Sequence, residues 1–114
     1  MTEQNHLDKI VQIAVNALED IKAKDIAVID TADKTPLFAK MIVATGESTR
    51  QVKALANNVA KELKDNDIEV LSVEGNDSGE WVLIDADDCV VHCMLREVRE
   101  YYDLETLWGG AKPV

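Results

Sequence analysis

The sequence predicts a single α/β domain, in which a mixed five-stranded sheet packs against two long helices and a short C-terminal helix. Two segments, 6–22 and 49–65, carry apolar residues at helical spacing and are the predicted long helices. Five short apolar segments predict the strands, and the order α-β-β-α-β-β-β-α favours helices packed against a mixed sheet. A chain of 114 residues buries enough surface to hold a core without disulfides or a structural metal.

Two strands separate the long helices. Residues 26–30 form a short apolar run typical of a buried strand, and residues 37–46 predict a second strand after a turn. Ser48, with Gln51 three residues later, matches the pattern of a helix N-cap and its partner. We therefore expect the second helix to begin directly after Ser48.

The second half of the chain supplies three strands and a short helix. Residues 68–73 predict the third strand, and residues 80–85 and 89–95 predict a hairpin. Asp87 lies in the tight turn of this hairpin, where Asp tolerates a positive φ better than most non-glycine residues. The short helix is expected over residues 96–102.

The chain is predicted to end in a helical turn and a tail. Leu104, Leu107 and Trp108 have the spacing of a final helical turn that packs back on the domain. The predicted domain therefore spans residues 1–108, and residues 109–114 are expected to form a flexible tail.

Composition and charge restrict the class of partner. Apolar residues make up 46% and charged residues 30% of the chain, which is typical of a globular domain. The formal net charge is −10 and the basic residues are scattered, so direct readout of nucleic acid is disfavoured. The sequence contains no apolar run long enough for a membrane span and no signal or transit peptide, which predicts a cytoplasmic location.

The two cysteines are predicted to be buried thiols in a reducing compartment. On a strand, Cys89 and Cys93 lie on one face about 13 Å apart, whereas a disulfide requires Cα atoms closer than about 7 Å. His92 between them faces the opposite side, so the three residues cannot surround one zinc ion. We expect a hydrogen-bonded sheet histidine and no metal or other cofactor.

The aromatic residues are concentrated near the C-terminus. The chain has five Trp, Tyr and Phe residues, and four of them are Trp81, Tyr101, Tyr102 and Trp108. They stand among many acidic residues, which indicates a patch that docks on a basic protein. Trp81 is either a partly buried residue that covers the sheet edge or an exposed contact for the partner. We predict that Tyr102 makes contact with the partner, that Tyr101 lies in the core, and that Trp108 holds the tail.

Acidic residues in the hairpin turn raise the alternative of catalysis. Asp85 and Asp87 have the D-x-D spacing of a Mg²⁺ site in a nucleotidyl-transfer enzyme. Such enzymes place a Gly-Ser turn about a dozen residues earlier, but the nearest candidate here begins at Gly46. We therefore expect solvated turn carboxylates, or acidic contacts to a basic partner, and no enzyme.

Several segments, in order, resemble the ribosomal silencing factor family, also called the Iojap-like family. The matching segments are KAKDIAVID at 22–30, MIVATG-x-STR at 41–50, VEG at 73–75, WVLID at 81–85, DCVVHCM at 88–94 and REYYDLE-x-LW at 99–108. The resemblance covers residues 7–108. Two positions depart from the family: Ala39 and Lys40 replace a usual Asp and aromatic, and Asp87 stands where Gly is common. The first departure weakens the case for a binding role of that strand edge.

The resemblance implies a function and a fold. Members of the family are similar in fold to nucleotidyltransferases but lack their chemistry. They bind the large ribosomal subunit through its fourteenth ribosomal protein, block joining of the small subunit and so repress translation in nutrient limitation. A role in large-subunit assembly is the alternative, and homodimerisation belongs to the general character of the family. With this resemblance, we predict a contact surface made of Trp81, Ala86, Tyr102, Asp85, Asp88 and Asp103.

Overall fold

The computed structural model describes residues 3–109 and 112–113, and it confirms the predicted α/β fold. The elements, in chain order, are α1 Glu3–Asp20, β1 Lys24–Asp30, β2 Lys40–Gly46, α2 Thr49–Asp65, β3 Ser72–Glu74, β4 Trp81–Asp85, β5 Cys89–Leu95, α3 Arg96–Tyr102, α4 Leu104–Leu107 and β6 Lys112–Pro113.

The strands form one mixed sheet in the order β3-β4-β5-β2-β1-β6. The central pair, β2 and β5, is parallel, and the other pairs are antiparallel. The five predicted strands are all present, and β6 is an additional edge strand. It lies within the predicted tail, where Lys112 pairs with Val28 and Pro113 pairs with Ala27. The remaining tail residues at 110, 111 and 114 lie outside the described part of the chain.

The strand alternation divides the apolar residues between two faces of the sheet. On β2, Ile42 and Ala44 face α1 and α2, whereas Met41 and Val43 face the other side. Both sides of this central strand are buried, which explains why residues 41–44 are apolar without alternation. Below, the side covered by α1 and α2 is called the helix face and the other side the open face.

The helix face carries the larger core. The buried stripe of α2 consists of Val52, Leu55, Ala56, Val59, Ala60 and Leu63. It packs with buried residues of α1 and with the helix-facing side chains of β2, β4 and β5. Burial of a large aliphatic side chain contributes about 2 kcal/mol, so this layer supplies most of the apolar stabilisation.

The open face carries a smaller core that the C-terminal segment covers in part. The buried members are Ile29, Met41, Val43, Val90, Met94 and Leu104. Leu104 comes from α4, so this short helix closes the cluster over β1 and β2. The part of the open face that belongs to β4 lies beside this cluster, where Trp81 and Leu83 are only half-buried.

The third strand is shorter than the sequence predicts, because its first residues belong to the exit of α2. Ile68 is buried, and its N–H donates to the carbonyl of Leu63 in the last turn of that helix. Pairing with β4 begins with the N–H of Leu71, which donates to the carbonyl of Asp85. The predicted strand over 68–73 is therefore observed only over Ser72–Glu74.

The predicted N-cap of α2 is confirmed, and its partner also fastens the helix to α1. The Ser48 hydroxyl oxygen accepts from the Gln51 N–H at 3.0 Å. The Gln51 side-chain oxygen accepts from the Glu47 N–H at 2.7 Å. Its amide nitrogen donates to the carbonyls of Ile21 and Lys22 at 3.1 and 3.2 Å. One side chain thus joins the start of α2 to the turn that follows α1.

Replacing the cap residue tests this arrangement. We expect Ser48→Ala to lower the free energy of unfolding by about 1 kcal/mol, because the Gln51 N–H loses its acceptor at the helix start. Ser48→Asp is the matched control, since a carboxylate accepts the same bond and interacts favourably with the helix dipole. Urea unfolding of the three proteins measures the difference. Equal losses in Ala and Asp variants would show that the hydroxyl does not act as a cap.

Candidate functional site

Four rings form a continuous row at the end of the open face where β4 begins. The centroid of Trp81 lies 5.8 Å from that of His92 and 4.7 Å from that of Tyr102. The Tyr101 and Tyr102 rings meet edge to face at 5.0 Å. These are distances at which aromatic pairs attract each other. We call these four residues the aromatic row.

The sheet supports one end of the row through a hydrogen bond. Trp81 on β4 and His92 on β5 are diagonal neighbours, because Leu83 is the residue directly opposite His92. The indole Nε1–H of Trp81 donates to His92 Nδ1 at 2.9 Å. The prediction of a hydrogen-bonded sheet histidine is therefore confirmed, with Trp81 as the partner.

His92 is held in its neutral form. Its exposed fraction is 8%, and burial lowers the pKa of the imidazole to about 4. An imidazolium has no acceptor nitrogen, so the bond from Trp81 requires the neutral ring with its proton on Nε2. The low pKa keeps this acceptor available at neutral pH.

Arg99 holds α3, and with it the other end of the row. Its Nη1 donates to the carbonyl of Asp25 at 2.6 Å and to the hydroxyl of Thr45 at 2.8 Å. Its Nη2 forms an ion pair with Glu105 at 2.8 Å, with Nε also in reach of the carboxylate. Only 11% of the Arg99 side chain is exposed, so this guanidinium is a well-shielded link between β1, β2, α3 and α4.

The two tyrosines of α3 both face outward. Tyr101 is 81% exposed and Tyr102 is 51% exposed. The prediction that Tyr101 lies in the core is wrong. Val98 is the residue of α3 that packs on the open-face core, and Leu104 in α4 is itself buried in that core. A helix of two turns that packs through Val98 leaves the tyrosines outside.

Trp81 lines two grooves that flank the aromatic row. A groove of about 310 Å³ lies between β4 and α3, and its lining also includes Glu80, Glu97 and Tyr102. A second, of about 190 Å³, is lined by Trp81 together with Glu74, Gly75, Leu83 and His92. The groove linings contain three carboxylates and, among the described residues, no Lys or Arg. The exposed ring surface therefore has an acidic border.

Gly75 is required where the loop passes Trp81. Its φ is +87°, and a Cβ at this position would lie 2.1 Å from the carbonyl oxygen of Trp81. Only glycine adopts this conformation at so close an approach without strain. The loop backbone can therefore lie directly against the start of β4 and form one wall of the smaller groove.

The structure divides the predicted contact residues into two groups. Trp81 and Tyr102 lie together in the aromatic row, whereas Asp85 and Asp88 lie by the turn at the opposite end of β4. Trp81 and Asp85 are the first and last of the five residues of β4, about 13 Å apart. Asp103 is exposed after α3, in a left-handed conformation, and its N–H donates to the carbonyl of Arg99.

Ala86, which the sequence analysis places in the contact surface, turns its side chain inward. Ala86 is only 2% exposed and belongs to the core on the helix face. Its N–H donates to the carbonyl of Cys89 at 2.9 Å, which draws this end of the turn inward. The turn therefore presents its aspartates to solvent and its alanine to the core.

The D-x-D pair belongs to the turn itself. The Asp85 carboxylate accepts from the Asp87 N–H at 2.9 Å, and Asp87 has the expected positive φ, 69°. Within residues 3–109 and 112–113, no group of three or more His, Cys, Asp or Glu side chains is arranged to hold a metal ion. The local hydrogen bond gives Asp85 and Asp87 a structural role in closing the hairpin.

The predictions that the cysteines are buried and that Trp108 packs back on the domain are confirmed. Cys89 and Cys93 are free and buried, and burial raises the pKa of each thiol to about 12. Trp108 packs against Phe38 with ring centroids 5.4 Å apart, and so it joins the residue that follows α4 to the loop before β2. Leu107, by contrast, remains exposed.

The groove residues that the predicted contact set missed include Leu83 and the three carboxylates of Glu74, Glu80 and Glu97. Strand periodicity could have placed Leu83 in the site, because it shares a face with Trp81 two residues away. Helix periodicity could likewise have placed Glu97 beside the tyrosines, because it stands four residues before Tyr101. Glu74 and Glu80 depend on the path of the loop between β3 and β4, which no periodicity describes.

Fold and site together define a class: an α/β domain that presents an exposed aromatic surface with an acidic border. None of the described helices combines the length and apolar content that spanning a membrane requires. The family model for "Ribosomal silencing factor during starvation" matches residues 4–114. The chain belongs to this family.

Known relatives agree with this assignment. The ribosomal silencing factor of Chromobacterium violaceum is 58% identical over 107 residues, which are 94% of this chain and 88% of that protein. A crystal structure of a protein from the same organism, also 58% identical, superposes with a TM-score of 0.90 and covers 94% of this chain and 89% of its own.

A more distant relative has a name that refers to assembly. The Mus musculus protein "Mitochondrial assembly of ribosomal large subunit protein 1" is 32% identical over 101 residues. The match covers 86% of this chain and 44% of the mouse protein. A domain of this kind therefore also occurs within a longer chain.

Removing Arg99 tests the support of the site. We expect Arg99→Ala to lower the free energy of unfolding by about 2 to 3 kcal/mol, because buried Thr45 and half-buried Glu105 lose their partner. Arg96→Ala is the matched control, since its ion pair with Asp25 is exposed on both sides and contributes less than about 1 kcal/mol. Denaturant unfolding measures both. Similar small losses for the two variants would contradict a central role for Arg99.

His92 makes stability depend on pH. The folded-state pKa, about 4, lies below the ordinary value of 6.5, so the unfolded chain takes up the proton first as pH falls. The contribution of neutral His92 is complete above about pH 6.5 and is lost progressively towards pH 4.

We expect the wild type to lose about 2 kcal/mol more than His92→Asn between pH 7 and pH 5. Urea unfolding at the two pH values measures this difference, and each variant serves as its own reference at pH 7. Parallel losses in both proteins would show that His92 titrates normally in the folded state.

Proposed function

We propose that this domain binds the large ribosomal subunit through its fourteenth ribosomal protein and blocks joining of the small subunit. The bound domain would thereby repress translation when nutrients are limiting, in the cytoplasm. Membership of the silencing factor family supports the association with ribosomes. The docking surface in this proposal is the aromatic row together with its acidic border.

The observation that carries the proposal is the exposed ring surface on a rigid support. Tyr101 and Tyr102 are exposed although they touch one another, and Trp81 is half-buried beside them. Aromatic side chains offer large contact area at a low cost in conformational entropy, and they dominate binding energy at protein interfaces. Their acidic border, from Glu74, Glu80 and Glu97, fits a partner with basic side chains.

The net charge of the chain supports the same kind of partner. At −10, the domain is repelled by exposed RNA phosphates and attracted to basic protein surfaces. Electrostatic attraction of this kind accelerates association and weakens as the salt concentration rises. The proposed site therefore selects ribosomal protein rather than ribosomal RNA as its contact.

The proposed mechanism is steric occlusion without catalysis. A domain that measures 39 × 31 × 22 Å and sits on the face between the subunits leaves no room there for the small subunit. Such a block needs neither a cofactor nor an energy source. The side-chain hydrogen bond between Asp85 and the Asp87 backbone supports a structural role for the acidic turn.

Assembly of the large subunit is the second candidate function. The name of the mouse relative, which refers to assembly of the mitochondrial large subunit, favours it. The same docking surface would serve both functions, but the target would be a precursor particle rather than a mature subunit. Binding to purified precursor and mature large subunits, compared at equal concentration, separates the two.

Sedimentation provides the direct test of the proposal. The purified domain is mixed with isolated large subunits, small subunits are added, and the particles are separated on a gradient. We expect the domain to sediment with large subunits and the amount of joined ribosomes to fall. Normal joining in the presence of saturating domain would refute the occlusion mechanism.

The docking residues can be tested singly. We expect Trp81→Ala and Tyr102→Ala each to weaken large-subunit binding by about 2 kcal/mol, or about 30-fold, because each removes a central ring. Gln12→Ala is the control, since Gln12 is exposed on α1, which covers the opposite face of the sheet. Binding is measured by co-sedimentation over a range of concentrations, and circular dichroism checks folding. Wild-type affinity in both folded aromatic variants would rule out this surface.

A further inference from the structure

We propose that His92 is a positioning residue for docking: it accepts the indole N–H of Trp81 and so fixes the orientation of the ring that a partner meets. The role of His92 in docking rests on the proposed function. The effect of His92 on the orientation of the Trp81 ring does not. It assigns to His92 a task beyond stabilising the sheet.

The geometry leaves the indole one acceptor within the described structure. Trp Nε1–H can only donate, and the hydrogen bond recorded for it goes to His92 Nδ1 at 2.9 Å. The Trp81 ring is half-buried between two grooves, so its N–H cannot point freely into water without turning the ring. The acceptor therefore selects one orientation of the indole.

That orientation determines the exposed part of the aromatic row. Trp81 is the only ring that contacts both His92 and Tyr102 within the described residues, and Tyr102 in turn contacts Tyr101. If the indole turned, Tyr102 would lose the ring against which it packs. His92 thus acts on the docking surface through Trp81, although its own side chain is almost completely covered.

A rigid surface binds more tightly than one that must be ordered on contact. Fixing a side chain before association removes about 0.5 to 1.5 kcal/mol of ordering cost per residue. His92 is suited to this task because its pKa of about 4 keeps the acceptor nitrogen unprotonated throughout the physiological range. The histidine is therefore a constant acceptor and not a pH switch for binding.

The test uses variants that keep or remove the acceptor and the donor. His92→Leu removes the acceptor at similar volume, and His92→Asn restores an oxygen near the position of Nδ1. Trp81→Phe keeps an aromatic ring but removes the donor. Cys93→Ala is the control on the same strand, because its side chain lies on the helix face.

The first measurement concerns the free protein. In a ¹⁵N-labelled sample, Trp81 and Trp108 give two indole N–H signals, and Trp81→Phe identifies the first. We expect His92→Leu to shift the Trp81 signal and to accelerate hydrogen exchange of the Trp81 indole N–H at least 10-fold. His92→Asn should restore most of the protection from exchange. Cys93→Ala should change neither the signal position nor the exchange rate. An unchanged Trp81 signal in a folded His92→Leu protein would overturn the inference, whether or not the domain binds ribosomes.

The second measurement is affinity for isolated large subunits. We expect His92→Leu to weaken binding about 3- to 10-fold, as the loss of one neutral hydrogen bond predicts, and His92→Asn to recover most of it. In the Trp81→Phe background, His92→Leu should have no further effect, because the donor is already absent. Losses that multiply would show that His92 acts independently of Trp81 and would overturn the inference.

The two measurements separate this inference from the proposed function. If wild-type domain fails to bind large subunits, the proposed function and the docking role of His92 fall together. If the wild type binds and Trp81→Ala does not, but folded His92→Leu binds as the wild type does, only the positioning role is refuted.

Discussion

The parallel pairing of β2 with β5 is the interaction on which the rest of the structure depends. The two strands are paired along their whole length, from Lys40 with Cys89 to Gly46 with Leu95. They are buried on both faces, which requires a cover on each side. Two long helices provide a full cover on one side, whereas the short α3 and α4 provide a partial one. The unequal covers leave the Trp81 ring on β4 half-buried beside α3, and this is where the candidate site lies.

The site combines exposure with rigidity, two properties that oppose each other in most surface segments. α3 has no buried residue of its own, yet it is held by the guanidinium of Arg99, which reaches β1, β2 and α4. The other end of the aromatic row rests on the sheet through His92. An exposed surface whose supports are fixed in this way loses less conformational entropy on binding than a surface that must first be ordered.

Periodicity predicted the elements well but predicted their orientation poorly. The boundaries of α2 and β5 match the predicted 49–65 and 89–95, because a cap or a turn marks each end and the apolar spacing is strong. Tyr101 was misplaced because adjacent helix residues lie about 100° apart, and nothing in two turns of helix shows which of them faces the sheet. The bond from Trp81 to His92 depends on the register of a hairpin, which is set by turn geometry rather than by strand composition.

The Arg99 link has a consequence for the order of events during synthesis. Arg99 bonds to Asp25, 74 positions earlier, and the strand pair at the centre of the sheet likewise joins distant parts of the chain. Contacts between remote segments form late, because the chain must first close long loops. A growing polypeptide that does not yet include Arg99 and Glu105 therefore lacks the link that holds α3, and the aromatic row assembles only after these residues have been added.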